Sequence, residues 1–163
     1  MKIFIDTEFQ EYSPNDYKLI SLGAIREDGA CFYAEADWWD PKDAHPWLQK
    51  NVVPHLKGNI EHMDKTEMRS MFRQFVGTGP VEFWGYYSTH DWYLMMDMMG
   101  GWMNLPTNWQ QWCNDIQCVR TVAGTLRFPE PPMAGNAHNA LDDAIWTKDM
   151  YDHFVRPMRQ GDK

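Results

Sequence analysis

The stretch Lys2-Ile3-Phe4-Ile5-Asp6-Thr7-Glu8-Phe9 decides how this chain reads. Its apolar run Ile3-Phe4-Ile5 has the look of a short buried strand, and the run ends in two carboxylates one residue apart. Side chains at i and i+2 of a strand share a face, so Asp6 and Glu8 aim their oxygens at one point. Like charges that close repel, and at the end of a buried strand they also lose water. A hard divalent cation, Mg²⁺ or Mn²⁺, removes both problems. A strand that frays into a polar loop would show the same letters, so the decision rests on the remainder of the chain.

The remainder is long enough for one domain with a proper core, 163 residues of which 44% are apolar, and too apolar for a disordered chain. Nine Trp and twelve Met are many for this size, which places some of them near the surface. No apolar run approaches the length of a membrane span, and Met1-Lys2-Ile3-Phe4 leads straight into the acidic pair with no signal-peptide pattern. Cys31, Cys113 and Cys118 form neither a complete disulfide set nor a C-x-x-C zinc spacing, so a reducing, cytoplasmic setting is expected. The net charge of −8 argues against a basic face gripping a long duplex. It is compatible with an enzyme that holds the last nucleotide or two of a strand.

Outward from the opening stretch, Glu11 to Asp16 reads as a turn, Leu19–Ile25 as a second buried strand and Cys31–Ala36 as a third, joined by the hairpin signal Glu27-Asp28-Gly29. A short helix is expected over Pro46–Val53, limited by Pro54. A longer one is expected over Asp64–Val76, with Asp64 as its cap, Glu67 three residues on, and an apolar stripe of Met68, Met71, Phe72 and Phe75. Val81–Tyr86 is a fourth strand, parallel to the first because a helical crossover precedes it. Asp91 follows at a strand-to-helix junction leading into a helix over Trp92–Met99, and sites in such sheets lie outside the carboxyl ends of strands. Met103–Asn114 reads as a loop, Ile116–Leu126 as a short strand or helix, and Pro129 to Gly135 as a stiff linker. A last helix runs from about Asn136 to Phe154. The expected organisation is one domain over residues 1–155 and a frayed tail over 156–163.

That last helix opens His138-Asn139-Ala140-Leu141-Asp142-Asp143. Five helical positions amount to about 500°, so His138 and Asp143 lie about 140° apart on neighbouring faces. Asp143 can face a metal while His138 leans over a reacting group. Asp142 competes with Asp143, and acids at a helix start also simply suit its dipole.

These residues, taken in order, carry a resemblance. Asp6-Thr7-Glu8 ending a first strand, Asp91 after an aromatic fourth strand, and His138 with Asp143 opening the last helix are similar to the three motifs of the DEDDh (DnaQ-like) 3′–5′ exonuclease superfamily. The opening Phe4-Ile5-Asp6-Thr7-Glu8-Phe9 with Leu19-Ile20-Ser21-Leu22-Gly23-Ala24 most resembles the short Rv2179c-like exoribonucleases and their phage relatives. The chain departs from the superfamily after Glu8, where Phe9-Gln10-Glu11 replaces the usual hydroxyl and glycine residues, and before Asp91, where Tyr87-Ser88-Thr89-His90 fills the place of the usual Asn.

The resemblance implies an α/β, RNase H-like fold: a mixed central sheet flanked by helices. It implies two divalent cations, Mg²⁺ or Mn²⁺, held by Asp6, Glu8, Asp91 and Asp143, with His138 as general base and Glu8 also counted as catalytic. The segment Thr7 to Phe9 would line the pocket for the terminal sugar and base, with Phe9 available for stacking. The expected activity is hydrolysis of single-stranded RNA or DNA from the 3′ end to 5′-mononucleotides, in a bacterial or phage-encoded protein with no membrane partner. A homodimer is expected from the resemblance and the surplus of apolar residues. An RNase H-like endonuclease or a catalytically silent RNase H-like binding module are the alternatives. His90, beside Asp91, reads as a surface or packing residue, and His45, His55, His62 and His153 as structural.

Overall fold

The computed structural model describes residues 1–14, 16–58 and 62–160. A six-stranded sheet in the order β4-β3-β2-β1-β5-β6 runs through the molecule. Its strands are β1 (Lys2–Ser13), β2 (Asp16–Arg26), β3 (Cys31–Ala36), β4 (His62–Met63), β5 (Val81–Gly85) and β6 (Trp109–Asp115). β1, β2 and β3 form the expected antiparallel meander, and Gly29, at φ 92°, makes the turn between β2 and β3. β5 is parallel to β1, as the helical crossover requires. The helices are α1 (Pro46–Asn51), α2 (Lys65–Val76), α3 (Thr89–Met98), α4 (Ile116–Val122), α5 (Ala140–Met150) and α6 (Arg156–Gln160). Among the described residues, no helix is long and apolar enough to cross a membrane.

The alternation of β1 sorts the helices onto two faces. Ile3 and Ile5 pack with Met68, Phe72 and Val76 of α2 and with Leu94, Met95 and Met98 of α3. Phe4 packs on the other side with Ala144 and Met150 of α5 and with Tyr151 and Phe154 beyond it. Burying this many large side chains, each contributing about 1.5–3 kcal/mol, fixes the sheet between its helical layers. Met95, Met98 and Met99 are core residues, each 1% exposed.

The structure departs from the sequence reading in four places. β1 does not stop at the carboxylates; it continues to Ser13, paired with β2, and the expected turn shrinks to the hairpin tip. Met71 points to solvent, 44% exposed, leaving Met68, Phe72 and Val76 as the buried stripe of α2. The segment read as a loop contains β6, an edge strand. The last helix begins at Ala140, passes through a wider π turn at Tyr151–Val155 and continues as α6, where Arg159 pairs with Glu82 at 3.0 Å, so residues 156–160 are helical rather than frayed.

Candidate active site

β1 is paired with β5 only over Lys2 to Phe4. Past that point it runs on with β2 alone, and Asp6 and Glu8 sit on this projecting part. They share the face of Phe4, the face covered by α5. Their cross-strand partners on β2 are Gly23 and Ser21. Gly23 matters because a Cβ there would meet the backbone of Ala140 at 2.1 Å. The missing side chain lets the first turn of α5 lie directly on the strand pair, which carries Asp143 to the carboxylates of β1. Asp6, Glu8 and Asp143 each offer an oxygen within 4.8 Å of the others.

Asp91 arrives from the opposite face, on the first turn of α3. Its Oδ1 accepts the Thr7 backbone N–H at 2.9 Å and the Thr7 hydroxyl at 2.6 Å. Thr7, between the two acids of β1, therefore reaches across to the fourth acid. The pocket role expected of Thr7 meets a different arrangement, because both of its donors are spent on Asp91. Asp91 does not share the tight group of three, yet its charge acts on both Asp6 and Glu8.

The environment favours the neutral acids. Burial first, then the charges of Asp91, Asp143 and Glu8, hold Asp6 well above the usual carboxylate range. Burial and the charges of Asp143 and Asp91 push Glu8 up to about 8. Burial raises Asp91 and Asp143 to about 6, opposed by the Thr7 hydrogen bonds on Asp91 and the His138 N–H on Asp143. The Ser21 hydroxyl, fully buried and on the face of Glu8, has no hydrogen-bond partner among the described residues. Converging hard oxygens that lack a countercharge, beside an orphaned hydroxyl, are a donor set that fits divalent cations.

His138 lies just before α5, whose cap is Asn139. The Asn139 side chain accepts the N–H groups of Leu141 and Asp142 and donates to the carbonyl of His55 at 3.0 Å. His138 takes a left-handed backbone, φ 67°, which turns its N–H onto Asp143 Oδ2 at 2.8 Å. Asp142 instead accepts the N–H of Asn136 at 2.8 Å and secures the loop, which separates it from Asp143.

A cleft of about 500 Å³ opens beside Glu8, lined by Phe9, Gln10, His45 and Trp47 among others. The Trp47 ring stands edge-on to His138, with centroids 4.9 Å apart. Gln10 Oε1 accepts the His45 N–H at 2.8 Å, and His45 Nδ1 accepts the Trp47 N–H at 3.2 Å, so the cleft wall is tied to β1. Sequence reasoning overlooked Trp47 and took His45 as merely structural; a one-turn helix offers no periodicity to mark either. His90 is exposed and stacks on Phe9 at 5.2 Å, in keeping with a packing role. His62 pairs with Glu35 at 3.1 Å.

The chain is also similar to known proteins. A family profile described as "3'-5' exoribonuclease Rv2179c-like domain" matches residues 1–155. The Mycobacterium tuberculosis protein named 3′–5′ exoribonuclease Rv2179c is 28% identical over 149 residues, covering 88% of this chain and 87% of the relative. Among solved structures, Escherichia coli exonuclease I in complex with a dT13 oligonucleotide is similar with a TM-score of 0.68 at 16% identity, over 98% of this chain and 42% of that one. A zinc-bound exonuclease I–single-stranded DNA complex gives 0.68 at 12% identity, over 99% and 41%. The chain thus spans about two fifths of exonuclease I, and that likeness shows the RNase H-like fold. The matched profile, which covers nearly the whole chain and every acid of the site, shows that the protein belongs to the Rv2179c-like family of 3′–5′ exoribonuclease domains and is by class a 3′–5′ exonuclease.

Proposed function

We propose that this protein removes nucleotides one at a time from the 3′ ends of single-stranded RNA or DNA, releasing 5′-mononucleotides. The observation that carries the reading is the convergence of Asp6, Glu8 and Asp143 within 4.8 Å, with His138 bonded to Asp143 through its backbone. Two divalent cations, Mg²⁺ or Mn²⁺, would be held by these three acids with Asp91, and when bound they supply the charge that favours a hydroxide nucleophile and a departing 3′ oxygen. Glu8 also borders the cleft, so it would align the scissile phosphate between the acids and the bound nucleotide. Thr7 would act by fixing Asp91.

His138 would accept the proton of the attacking water, a task for which imidazole is the side chain most often used. Its strained backbone and its edge contact with Trp47 hold the ring at the cleft rather than in open solvent. Phe9 and Trp47 would bound the terminal nucleotide, and a cleft lining without Lys or Arg among the described residues matches a small footprint on an acidic protein. The relative is named an exoribonuclease, while the exonuclease I structures hold DNA. We infer RNA as the preferred strand from the family alone.

The test is a time course on matched 5′-labelled single-stranded RNA and DNA oligonucleotides with Mn²⁺. The expected result is a ladder shortening by one nucleotide per step, slowed at least about 100-fold in His138→Ala. Intact oligonucleotides would refute the proposal and favour a binding module on the same fold, and a ladder indifferent to His138 would refute its role as the base.

A further inference from the structure

Next to Glu8 along β1, at Phe9, four rings meet. Phe9 stacks on His90 at 5.2 Å and stands edge-on to Tyr17 at 5.9 Å; Tyr17 contacts His90 at 5.4 Å and Tyr93 at 5.9 Å. They come from three elements, β1, β2 and the exposed side of α3. Tyr17, His90 and Tyr93, with Pro14 and Thr89, line a groove of about 290 Å³. Tyr93 is 48% exposed, and His90 is exposed as well. Phe9 and Tyr17 are half-buried against the main core, and His90 and Tyr93 form the open side of the cluster.

We infer that this groove is a stacking platform for a base of the substrate strand, one or two nucleotides 5′ of the terminal one. The inference rests on the exonuclease reading and extends it to how the strand is held. The first argument is continuity. Phe9 lines the cleft beside Glu8 and also stacks on His90, so one ring joins the reacting centre to the platform.

The second argument is placement. The Trp47 cleft is bordered by Glu8, and Trp47 itself touches His138, whereas no acid of the cluster and no part of His138 lines the ring groove. The terminal nucleotide therefore belongs in the cleft, and the groove receives a neighbour. The third is chemistry. Among the described residues no Lys or Arg lines the groove, so it is built for the faces of bases rather than for phosphates. Stacking is indifferent to sequence, as an enzyme that consumes a strand requires. The rings are also held in advance: the Tyr17 hydroxyl donates to Glu11 at 3.3 Å, and each ring is braced by another, so little freedom is lost when a base arrives.

The experiment measures KM and kcat with Mn²⁺ on single-stranded oligonucleotides of two, three, four and six residues, for the wild type, Tyr93→Ala and Tyr93→Phe. In the wild type KM falls with length. Tyr93→Ala raises KM on the hexamer about tenfold, the ratio that one stacked base provides, and flattens the dependence on length, while Tyr93→Phe keeps it. A wild type that shortens these strands, together with a Tyr93→Ala variant whose KM falls with length just as steeply, overturns the platform and leaves the exonuclease standing. A wild type that shortens none of them overturns both.

Discussion

Glu35 on β3 is 1% exposed and surrounded by donors: the Tyr33 hydroxyl at 2.8 Å, the backbone N–H groups of Lys57 and Gly58, and His62 Nε2 at 3.1 Å. Asp6 and Glu8, two strands away, are surrounded by other acids, and among the described residues no donor reaches either side chain. Both regions take carboxylates out of water. At Glu35 the protein supplies the whole compensation, and the acid serves to hold the 57–58 segment against the sheet. At Asp6 and Glu8 the described residues supply none. A buried acid that is satisfied is part of the fold, and acids that face their own kind are candidates for a bound cation.

The strongest way to break this comparison is to remove one acid from each region. Asp6→Ala should lower exonuclease turnover by about 1000-fold or more. In EDTA its thermal midpoint should equal or exceed that of the wild type, because one of several repelling charges is gone. A variant that unfolds instead would place Asp6 with Glu35, among the structural acids. Glu35→Ala should do the reverse. By stranding buried donors it should cost about 3 kcal/mol in denaturant unfolding, and an unchanged midpoint would show that its partners find water instead.

A third outcome sharpens the comparison through pH. In EDTA, Glu8 is raised to about 8 and Asp91 and Asp143 to about 6, so the folded protein binds more protons than the unfolded chain between about pH 4 and 8. Stability from these groups is therefore greatest at the acid end of that window and declines as pH rises through it. Mn²⁺ should offset the decline, so the rise in thermal midpoint on adding it should be larger at pH 8 than at pH 5. Equal shifts at both pH values would argue that the ion binds elsewhere. The smallest effect is expected at Asp142, which secures Asn136 and stands apart from the cluster. Asp142→Ala should keep turnover within about threefold, a small change typical of a loop anchor. A loss as deep as that of Asp6→Ala would show that the site uses the other acid of the pair.

Most of the sheet could be read from the sequence because its inner strands are continuous apolar runs and its turn residues are unambiguous. β6 escaped because it lies at an edge: Trp109 is its one buried residue, and Gln110, Gln111 and Asn114 give it the composition of a loop. The start of α5 was placed four residues early, because Asn136 to His138 wrap back onto Asp142 and Asp143 instead of entering the helix. Asp6 and Glu8 were legible as a pair because strand periodicity puts them on one face, whereas Asp143 joined them through the resemblance, the helix pattern alone leaving Asp142 in competition. The Thr7–Asp91 bond, the open approach at Gly23 and the Trp47 wall were not, since each joins segments far apart in the chain and has no local period.

The β1–β2 register slips between Glu8 and Phe9: Glu8 faces Ser21, Phe9 faces Leu19, and Ile20 stands between them without a partner. Ile20 is 1% exposed and packs with Trp39, Leu48 and Val52, in the small core beneath the helix that bears Trp47. The consequence concerns which changes of length the chain can survive. At the hairpin tip, residues can be gained or lost with little effect on either neighbour. Deleting Ile20 would close the bulge with Glu8 still opposite Ser21, but it would empty the place of Ile20 against Trp39, Leu48 and Val52 and so release the wall of the cleft. Drift in this hairpin is therefore open at its end and closed at its middle.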